Sequence, residues 1–167
     1  MPSPVGHFLG GLAVGWLAAR RPTWGFLAIC GVAAALPDAD FLLPIRHRGA
    51  SHSIGAAVIA GGVAFVVLRA WRWGQEAARA AAVMALAYAT HVLFDWLGAD
   101  SSTPRGLMAL WPATSSYYIS DLDVFNSVDR RYWTAGFWRR NAVTLVREVV
   151  ILGPLLLLVV RVRRGKW

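Results

Sequence analysis

Five long apolar segments, each of helical length, follow one another along this chain of 167 residues. Short polar or proline-containing stretches separate the first four, and a long polar loop over residues 98–141 precedes the fifth. Apolar runs of this length, bounded by proline, glycine and arginine, predict helices rather than strands. We therefore expect an all-α bundle of about five helices that forms a single domain over residues 1–167. The predicted helices cover residues 5–19, 23–36, 51–68, 77–97 and 142–160.

Glycine predicts how the first of these helices packs. Gly6 and Gly10 are four residues apart, and so are Gly11 and Gly15. Small residues at this spacing let two helix backbones approach each other closely. The segment begins without a preceding basic region, so we expect it to be a helix of the protein rather than a cleaved signal peptide.

The composition indicates a membrane. Hydrophobic residues make up 57% of the chain and charged residues only 16%, whereas soluble domains carry about 25% charged residues. Nine tryptophans suit the headgroup zone of a bilayer. Several segments fall short of the roughly 18 apolar residues that a span requires, so a membrane-embedded and a membrane-associated bundle both agree with the sequence. The fifth segment contains Arg147, Glu148 and Pro154 and is the weakest predicted span.

The net charge of +8 is unevenly distributed. If consecutive helices alternate in direction, most of the cations gather on one side of the bundle, which the positive-inside rule assigns to the cytoplasm; Arg139 and Arg140 oppose this assignment. Because these cations flank apolar segments, we expect membrane lipid rather than nucleic acid as the partner. The cations are Arg20, Arg21, Arg69, Arg72, Arg79, Arg161, Arg163, Arg164 and Lys166.

The opposite, non-cytoplasmic side receives residue types that bind metals. Histidine and aspartate cost free energy in so apolar a chain unless a cation or hydrogen bonds satisfy them. His91 and Asp95 lie four residues apart and therefore project from one face of a helix. The single cysteine, Cys30, has no partner, which favours an open site for zinc, manganese or iron over a closed structural zinc. The candidate ligands are His7, Asp38, Asp40, His52, His91 and Asp95.

These residues suffice for one or two divalent ions. One ion would take Asp38 or Asp40 together with His52, His91 and Asp95, and a second would share Asp95 and take His7. The aspartate of the 38/40 pair that does not bind metal is a candidate general base or outer-shell orienting residue.

The loop before the third helix carries further candidates. Arg48 could bind a phosphate through two hydrogen bonds. Alternatively, it could form an ion pair with Asp38 or Asp40. Ser51 is predicted to cap the third helix, which would put His52 in its first turn. His47, flanked by two arginines, is predicted to be a surface residue.

Several ordered motifs resemble the YdjM/DUF457 family of inner-membrane, metal-dependent hydrolases. The resemblance covers residues 4–112 and implies an inner-membrane location and a hydrolase activity. The motifs are GH at 6–7, PDAD at 37–40, RGxSHS at 48–53, HxxxD at 91–95 and GLMALWP at 106–112.

The ligand order is also similar to that of the zinc-dependent phospholipase C and P1 nuclease group. This likeness implies a phospholipase C-like helical core, with His7 on one zinc and the remaining candidates on another, bridged by Asp95. That group has further histidines after HxxxD, whereas this chain has none beyond His91, which limits the expectation to one or two ions. The nearby acids Asp100, Asp121 and Asp123 are expected to be solvated.

These observations predict a metal-dependent membrane hydrolase that cleaves a phosphoester, in a lipid headgroup or a small molecule, by means of a metal-activated water. The alternative is a non-catalytic multi-pass membrane protein in which the same residues bind a structural metal or a partner. In either case the loop over 98–141 is expected to cover the site or to lie at the membrane interface.

Overall fold

The computed structural model describes residues 1–43 and 46–165. Within these ranges the regular elements are all helices and no β-strand forms, so the all-α prediction is confirmed. A 3-10 helix (Leu36–Leu42) continues directly from the second α-helix. Lys166, one of the cations of the predicted cytoplasmic side, lies outside the described residues. The α-helices are α1 (Pro4–Ala18), α2 (Trp24–Ala35), α3 (Ile54–Ala70), α4 (Glu76–Leu97) and α5 (Phe137–Arg164).

Side-chain hydroxyls begin three of the helices. The hydroxyl of Ser3 accepts a hydrogen bond from the third residue after it at the start of α1, and Thr23 and Ser53 do the same for α2 and α3. Such caps satisfy one of the backbone N–H groups that the first helical turn leaves unpaired. The predicted cap of α3 was therefore wrong: Ser53 rather than Ser51 begins this helix, and His52 precedes it.

Close backbone contact joins α1 to α2. A Cβ atom added at Gly11 would lie 2.3 Å from the carbonyl oxygen of Cys30, and one added at Gly15 would lie 2.9 Å from the side chain of Leu27. The tight packing expected from the glycine pattern is thus observed. Helix α1 also packs against α4 and α5, while α4 contacts α2 and α3.

Among the described residues, three helical stretches are long and apolar enough to cross a membrane: Trp24–Leu42, Glu76–Leu97 and Phe137–Arg164. Helix α5, predicted to be the weakest span, has the most apolar window of the three. The expectation failed because apolar residues dominate this 28-residue helix despite its two internal charges. The bundle also satisfies these charges. Glu148 is buried and accepts hydrogen bonds from Ser3, and Arg147 donates to Asn126.

Two contacts join helix ends that carry arginine. Arg20, just beyond α1, lies 3.3 Å from Glu76 at the start of α4, and Arg163 near the end of α5 donates to the carbonyl of Ala19. These contacts lie at the end of α1 that is far from His7, because an α-helix of 15 residues is about 22 Å long.

Candidate metal centre

Four separate elements bring histidine and aspartate together at one end of the bundle. The last turns of α4 supply His91 and Asp95, and the first turn of α1 supplies His7. The 3-10 helix supplies Asp38, and the loop before α3 supplies His52. All but Asp38 are fully buried. The cluster therefore lies inside the bundle rather than on its surface.

Asp38 and Asp95 each lie close to the Nε2 atoms of His52 and His91. The Oδ1 atom of Asp38 lies 3.6 Å from Nε2 of His52 and 3.8 Å from Nε2 of His91. The Oδ2 atom of Asp95 lies 3.6 Å and 3.3 Å from the same two nitrogens. Ligand atoms around a tetrahedral ion with bonds of about 2.0–2.2 Å stand about 3.3–3.6 Å apart. The donor atoms of His52, His91 and Asp95 all lie within 4.8 Å of one another, so these three residues could hold one divalent ion, with Asp38 beside them.

His7 contacts the other side of the Asp95 carboxylate. Its Nε2 atom lies 3.4 Å from Oδ1 of Asp95, the oxygen that does not face His52 and His91. Its ring also stacks on that of His91. Asp95 therefore lies between three histidines, with His7 near one carboxylate oxygen and His52 and His91 near the other.

Six buried polar atoms of this cluster lack hydrogen-bond partners in the described part of the chain. Among the described residues, neither oxygen of Asp95 and neither nitrogen of His7 makes a hydrogen bond, and the same is true of Nε2 in His52 and His91. A buried polar atom left unpaired costs about 1–3 kcal/mol, and such atoms are rare in native proteins. A divalent cation would satisfy imidazole nitrogens and carboxylate oxygens together. The residues present therefore fit a bound metal ion.

Hydrogen bonds orient the two central histidines. Nδ1 of His91 lies 2.8 Å from the carbonyl oxygen of Ala34. Because a carbonyl oxygen only accepts, Nδ1 carries the proton and Nε2 presents its lone pair to the cluster. Nδ1 of His52 lies 3.1 Å from the hydroxyl of Ser51, which donates to Asp40. In metal sites, outer contacts of this kind fix the tautomer and direction of the ligating ring.

Asp38 and Asp40 occupy different positions in the site. Asp38 faces the Nε2 atoms of two histidines, whereas Asp40 accepts from Nδ1 of His47 at 2.7 Å and lies 3.3 Å from Nδ1 of His52. Burial alone would lower the pKa of His52, but the carboxylates of Asp38 and Asp40 raise it to about 9. Asp40 thus contacts the outer side of the histidine, and Asp38 the inner side.

His47 is not the surface residue that the sequence suggested. Its side chain is 15% exposed, and its Nε2 atom lies 3.0 Å from Nη2 of Arg130. Together with Asp38 and His52 it forms one of the groups whose donor atoms could hold a metal. Neither His47 nor Arg130 lies in a regular helix, so no periodicity in the sequence indicates where their side chains point.

Arg48 pairs with Asp100 rather than with Asp38 or Asp40. Its guanidinium also contacts the hydroxyl of Ser102. Asp100 was expected to be solvated, but its side chain is only 6% exposed. Burial would raise the pKa of Asp100, yet hydrogen bonds from Ser102 hold it below its usual value. Asp121, in contrast, is exposed as predicted and pairs with Arg105 at the surface.

The GLMALWP motif supports the loop that carries His52. Backbone carbonyls of Ala109 and Trp111 accept from the amides of Ile54 and Gly55, the first two residues of α3. A side chain at Gly55 would clash with Trp111, since a Cβ atom there would lie 2.4 Å from its carbonyl oxygen. Carbonyl groups of the motif therefore accept hydrogen bonds from the backbone amides at the beginning of α3.

A pocket of about 420 Å³ adjoins the cluster. Asp38 is the member of the cluster that lines it, and residues from the loop over 98–141 form one wall. The lining includes Asp38, Phe41, Arg48, Asp100, Ser102 and Arg130. Its volume lies in the range of small-molecule sites, about 300–1,000 Å³.

Comparison with known proteins identifies a family but no individual relative. None of the curated proteins and none of the solved structures compared with the chain matches it, and the phospholipase C-like core stays a prediction. A family model described as "YdjM inner membrane protein" matches residues 1–167. The match therefore extends beyond the motifs to α5 and the long loop. The chain belongs to the YdjM family of inner membrane proteins.

Proposed function

We propose that this protein is a metal-dependent hydrolase that cleaves a phosphoester at the inner membrane. The observation that carries the proposal is a set of buried donor atoms without hydrogen-bond partners, next to a pocket with two arginines in its lining. Asp38 belongs to both the donor set and the pocket.

One divalent ion would bind to His52, His91 and Asp95, whose donor atoms lie within 4.8 Å of one another, and its fourth position, beside Asp38, would stay open for water. Nitrogen and oxygen donors suit zinc best, and manganese or iron would also accept them. A second ion would use His7 and the remaining oxygen of Asp95. A bound ion supplies a water of lowered pKa and stabilises the negative charge that develops on the phosphoryl group.

The side chains of the pocket would bind and position the phosphoryl group. Arg130 brings a guanidinium to the pocket, and Arg48, held by Asp100, adds a fixed charge beside it. Guanidinium groups match phosphate oxygens in charge and in hydrogen-bond geometry.

Asp38 is our candidate for the proton acceptor. In hydrolysis the water oxygen bonds to phosphorus, one of its protons passes to the carboxylate, and the P–O bond to the alcohol breaks. The leaving oxygen then takes up a proton. Asp38 combines contact with the donor cluster and access to the pocket, which a general base requires.

Asp40 is assigned an orienting role instead. Its carboxylate is occupied by contacts with His47, Ser51 and His52 on the outer side of the cluster. From there it would hold the His52 ring in place rather than reach a substrate.

One observation favours a non-catalytic rival. The donors come from four elements, and all but Asp38 are buried, so an ion could simply fasten α1, α3 and α4 together. A structural site is closed by protein ligands, whereas a catalytic site keeps a position open. The pocket beside Asp38 supports the catalytic alternative.

Metal analysis together with a phosphatase assay tests the proposal. We expect the purified protein to carry a divalent transition metal and to hydrolyse p-nitrophenyl phosphate or bis-p-nitrophenyl phosphate. His52→Ala and Asp95→Ala should lose both metal and activity, while Asp121→Asn, a change in an exposed ion pair, should keep both. Absence of metal, or occupancy unaffected by both changes, would overturn the proposal. A metal-loaded protein without activity would favour the structural rival.

We also propose that the chain crosses the membrane several times with the metal centre on the non-cytoplasmic side. The arginine contacts at the far end of α1 support this orientation through the positive-inside rule. Ser116 lies exposed in the long loop, and the single native cysteine, Cys30, is buried. A membrane-impermeant maleimide should therefore label Ser116→Cys in intact cells; labelling only after lysis would reverse the orientation.

A further inference from the structure

A second cavity lies on the outside of the bundle, between α1 and the stretch formed by α2 and the 3-10 helix. Its volume is about 380 Å³. Two of its residues are more than half exposed, Val32 at 58% and Leu36 at 52%. The lining, which we call the apolar groove, consists of Pro4, Val5, Phe8, Val32, Ala35 and Leu36.

The apolar groove adjoins the pocket at the metal centre. Pro4 lines both cavities. Leu36 of the groove begins the 3-10 helix that also carries Asp38 and Phe41 of the pocket. A molecule with a polar end and an apolar end could therefore occupy both cavities at once.

The pocket beside Asp38 has the positive charge that an anionic group requires. Arg130 and Arg48 line the pocket, and Arg130 also lies over the ring of Phe41, with its guanidinium carbon 3.8 Å from the ring centre. Within the described part of the chain, the apolar groove itself has no charged residue in its lining. Its α2 side belongs to Trp24–Leu42, a stretch long and apolar enough to cross a membrane. In a bilayer its open side would face acyl chains.

The depth of the groove depends on Gly31. A Cβ atom at this position would lie 2.5 Å from the ring of Phe8. Without it, the ring lies against the backbone of α2 and forms the floor of the groove. Exposed apolar residues occur elsewhere on α2, for example Ile29 at 50% exposure, but Ile29 does not line this cavity.

We propose that the apolar groove binds an acyl chain of an anionic phospholipid whose phosphate lies in the pocket beside Asp38. The inference rests on the proposed function in one respect, because it makes this lipid the phosphoester that is cleaved. Binding of the chain does not itself depend on hydrolysis, so the two can be tested separately.

Tryptophan substitutions in detergent-solubilised protein test the groove. Val32→Trp fills it from α2, and Val5→Trp fills it from α1. Ile29→Trp is the matched control, one turn from Val32 on the same helix and equally apolar. We expect both groove variants to weaken binding of dioleoyl phosphatidic acid, measured by native mass spectrometry, by at least about tenfold, the effect of displacing about two methylene groups. Ile29→Trp should bind the lipid normally.

Three further measurements separate the outcomes. All three variants should keep their metal content, which shows that the fold is intact, and should hydrolyse p-nitrophenyl phosphate within about twofold of the unchanged protein, since this small ester needs no groove. Inorganic phosphate should compete with the lipid only weakly, because it lacks the chain. Lipid binding that the groove variants leave unchanged, or that phosphate abolishes as readily as a second lipid does, would overturn the inference. Absence of any hydrolysis alongside a selective loss of lipid binding would overturn the proposed function and leave the groove as a lipid site.

Discussion

The imidazole rings of His7 and His91 lie stacked, with their centroids 3.7 Å apart and their planes inclined by 18°. The two residues belong to α1 and α4, and each Nε2 faces a different oxygen of Asp95. Burial and the neighbouring His91 lower the pKa of His7, which favours its neutral form, the form of imidazole that binds metal. The stacked rings thus join α1 to α4 beside Asp95.

The stacked pair predicts different effects of two alanine substitutions. His7→Ala leaves the donor atoms of His52, His91 and Asp95 in place, so we expect it to retain one tightly bound ion. His91→Ala removes one of these three ligands and should lower the affinity by more than the roughly 100-fold that loss of an outer contact causes. Metal content after dialysis against a weak chelator measures both. Equal loss of metal from the two variants would show that His7 is essential to the first ion.

Asp40→Asn tests the orienting role of this carboxylate. Asparagine keeps the size of the side chain but removes the charge opposite Nδ1 of His52, and it changes the acceptors available to His47 and Ser51. We expect metal affinity to fall about 10–100-fold, the range for outer-shell partners. Competition with a chromophoric chelator measures the change. Asp121→Asn is the control, and an Asp40→Asn protein that binds metal as the control does would contradict the assignment.

Metal affinity should increase with pH through the neutral range. The neighbouring carboxylates hold the pKa of His52 at about 9 against the opposing effect of burial, so this histidine is protonated at neutral pH in the metal-free protein. A metal ion must displace the proton from Nε2. The His52 contribution to affinity should therefore rise about tenfold per pH unit up to about pH 9 and then level off.

Chelator competition at several pH values measures this slope. Calorimetry at neutral pH in buffers of different ionisation enthalpy should also detect the released proton. Because Asp40→Asn removes one of the carboxylates that raise the pKa of His52, it should reduce the slope near pH 8. An affinity independent of pH between about 7 and 9 would contradict protonation of His52 in the metal-free state.

The helices were predicted well wherever their ends are determined locally. The first, second and fourth predicted segments end within a residue or two of α1, α2 and α4, because proline, glycine and capping hydroxyls act on adjacent residues. Helix α5 began earlier than expected, at Phe137. Its polar first turns contact the long loop, for example through Arg147 and Asn126, and such contacts leave no local pattern in the sequence.

The candidate site also combines features that follow from local sequence with features that only the folded bundle determines. His91 and Asp95 share a helix face, so their proximity follows from spacing alone. His7 and His52 join them only because alternating helices bring distant ends together. The arrangement around Arg130 and Asp100 was not predictable, since both lie in a loop without periodicity and their partners are far away in the chain.

Glu148→Ala should destabilise the protein, because this buried carboxylate joins α5 to the start of α1. Glu148 accepts from the backbone N–H of Ser3 at 2.5 Å and from its hydroxyl. Without it, two donors lose their acceptor, which costs about 1–3 kcal/mol and corresponds to a fall in Tm of about 2–10 °C for a chain of this size. Thermal unfolding in detergent measures the effect. Glu76→Ala, at an exposed pair with Arg20, should change Tm by about 1 °C or less, and an equal shift in both variants would contradict the role of Glu148.

Arg130→Ala should impair phosphoester hydrolysis without loss of metal. The Arg130 guanidinium lines the pocket beside Asp38 and is positioned by Nε2 of His47 and the ring of Phe41. A charged hydrogen bond to the substrate contributes about 1.5–3 kcal/mol, so kcat/KM for a phosphate ester should fall about 10–100-fold.

Arg131→Ala changes the adjacent arginine, which pairs with Asp129, and should leave kcat/KM within about twofold of the unchanged protein. Because Arg130 lies outside the donor cluster, metal content should be unchanged in both variants. A loss of activity that follows loss of metal would instead assign Arg130 to the support of His47, and equal activity in the two variants would remove it from substrate binding.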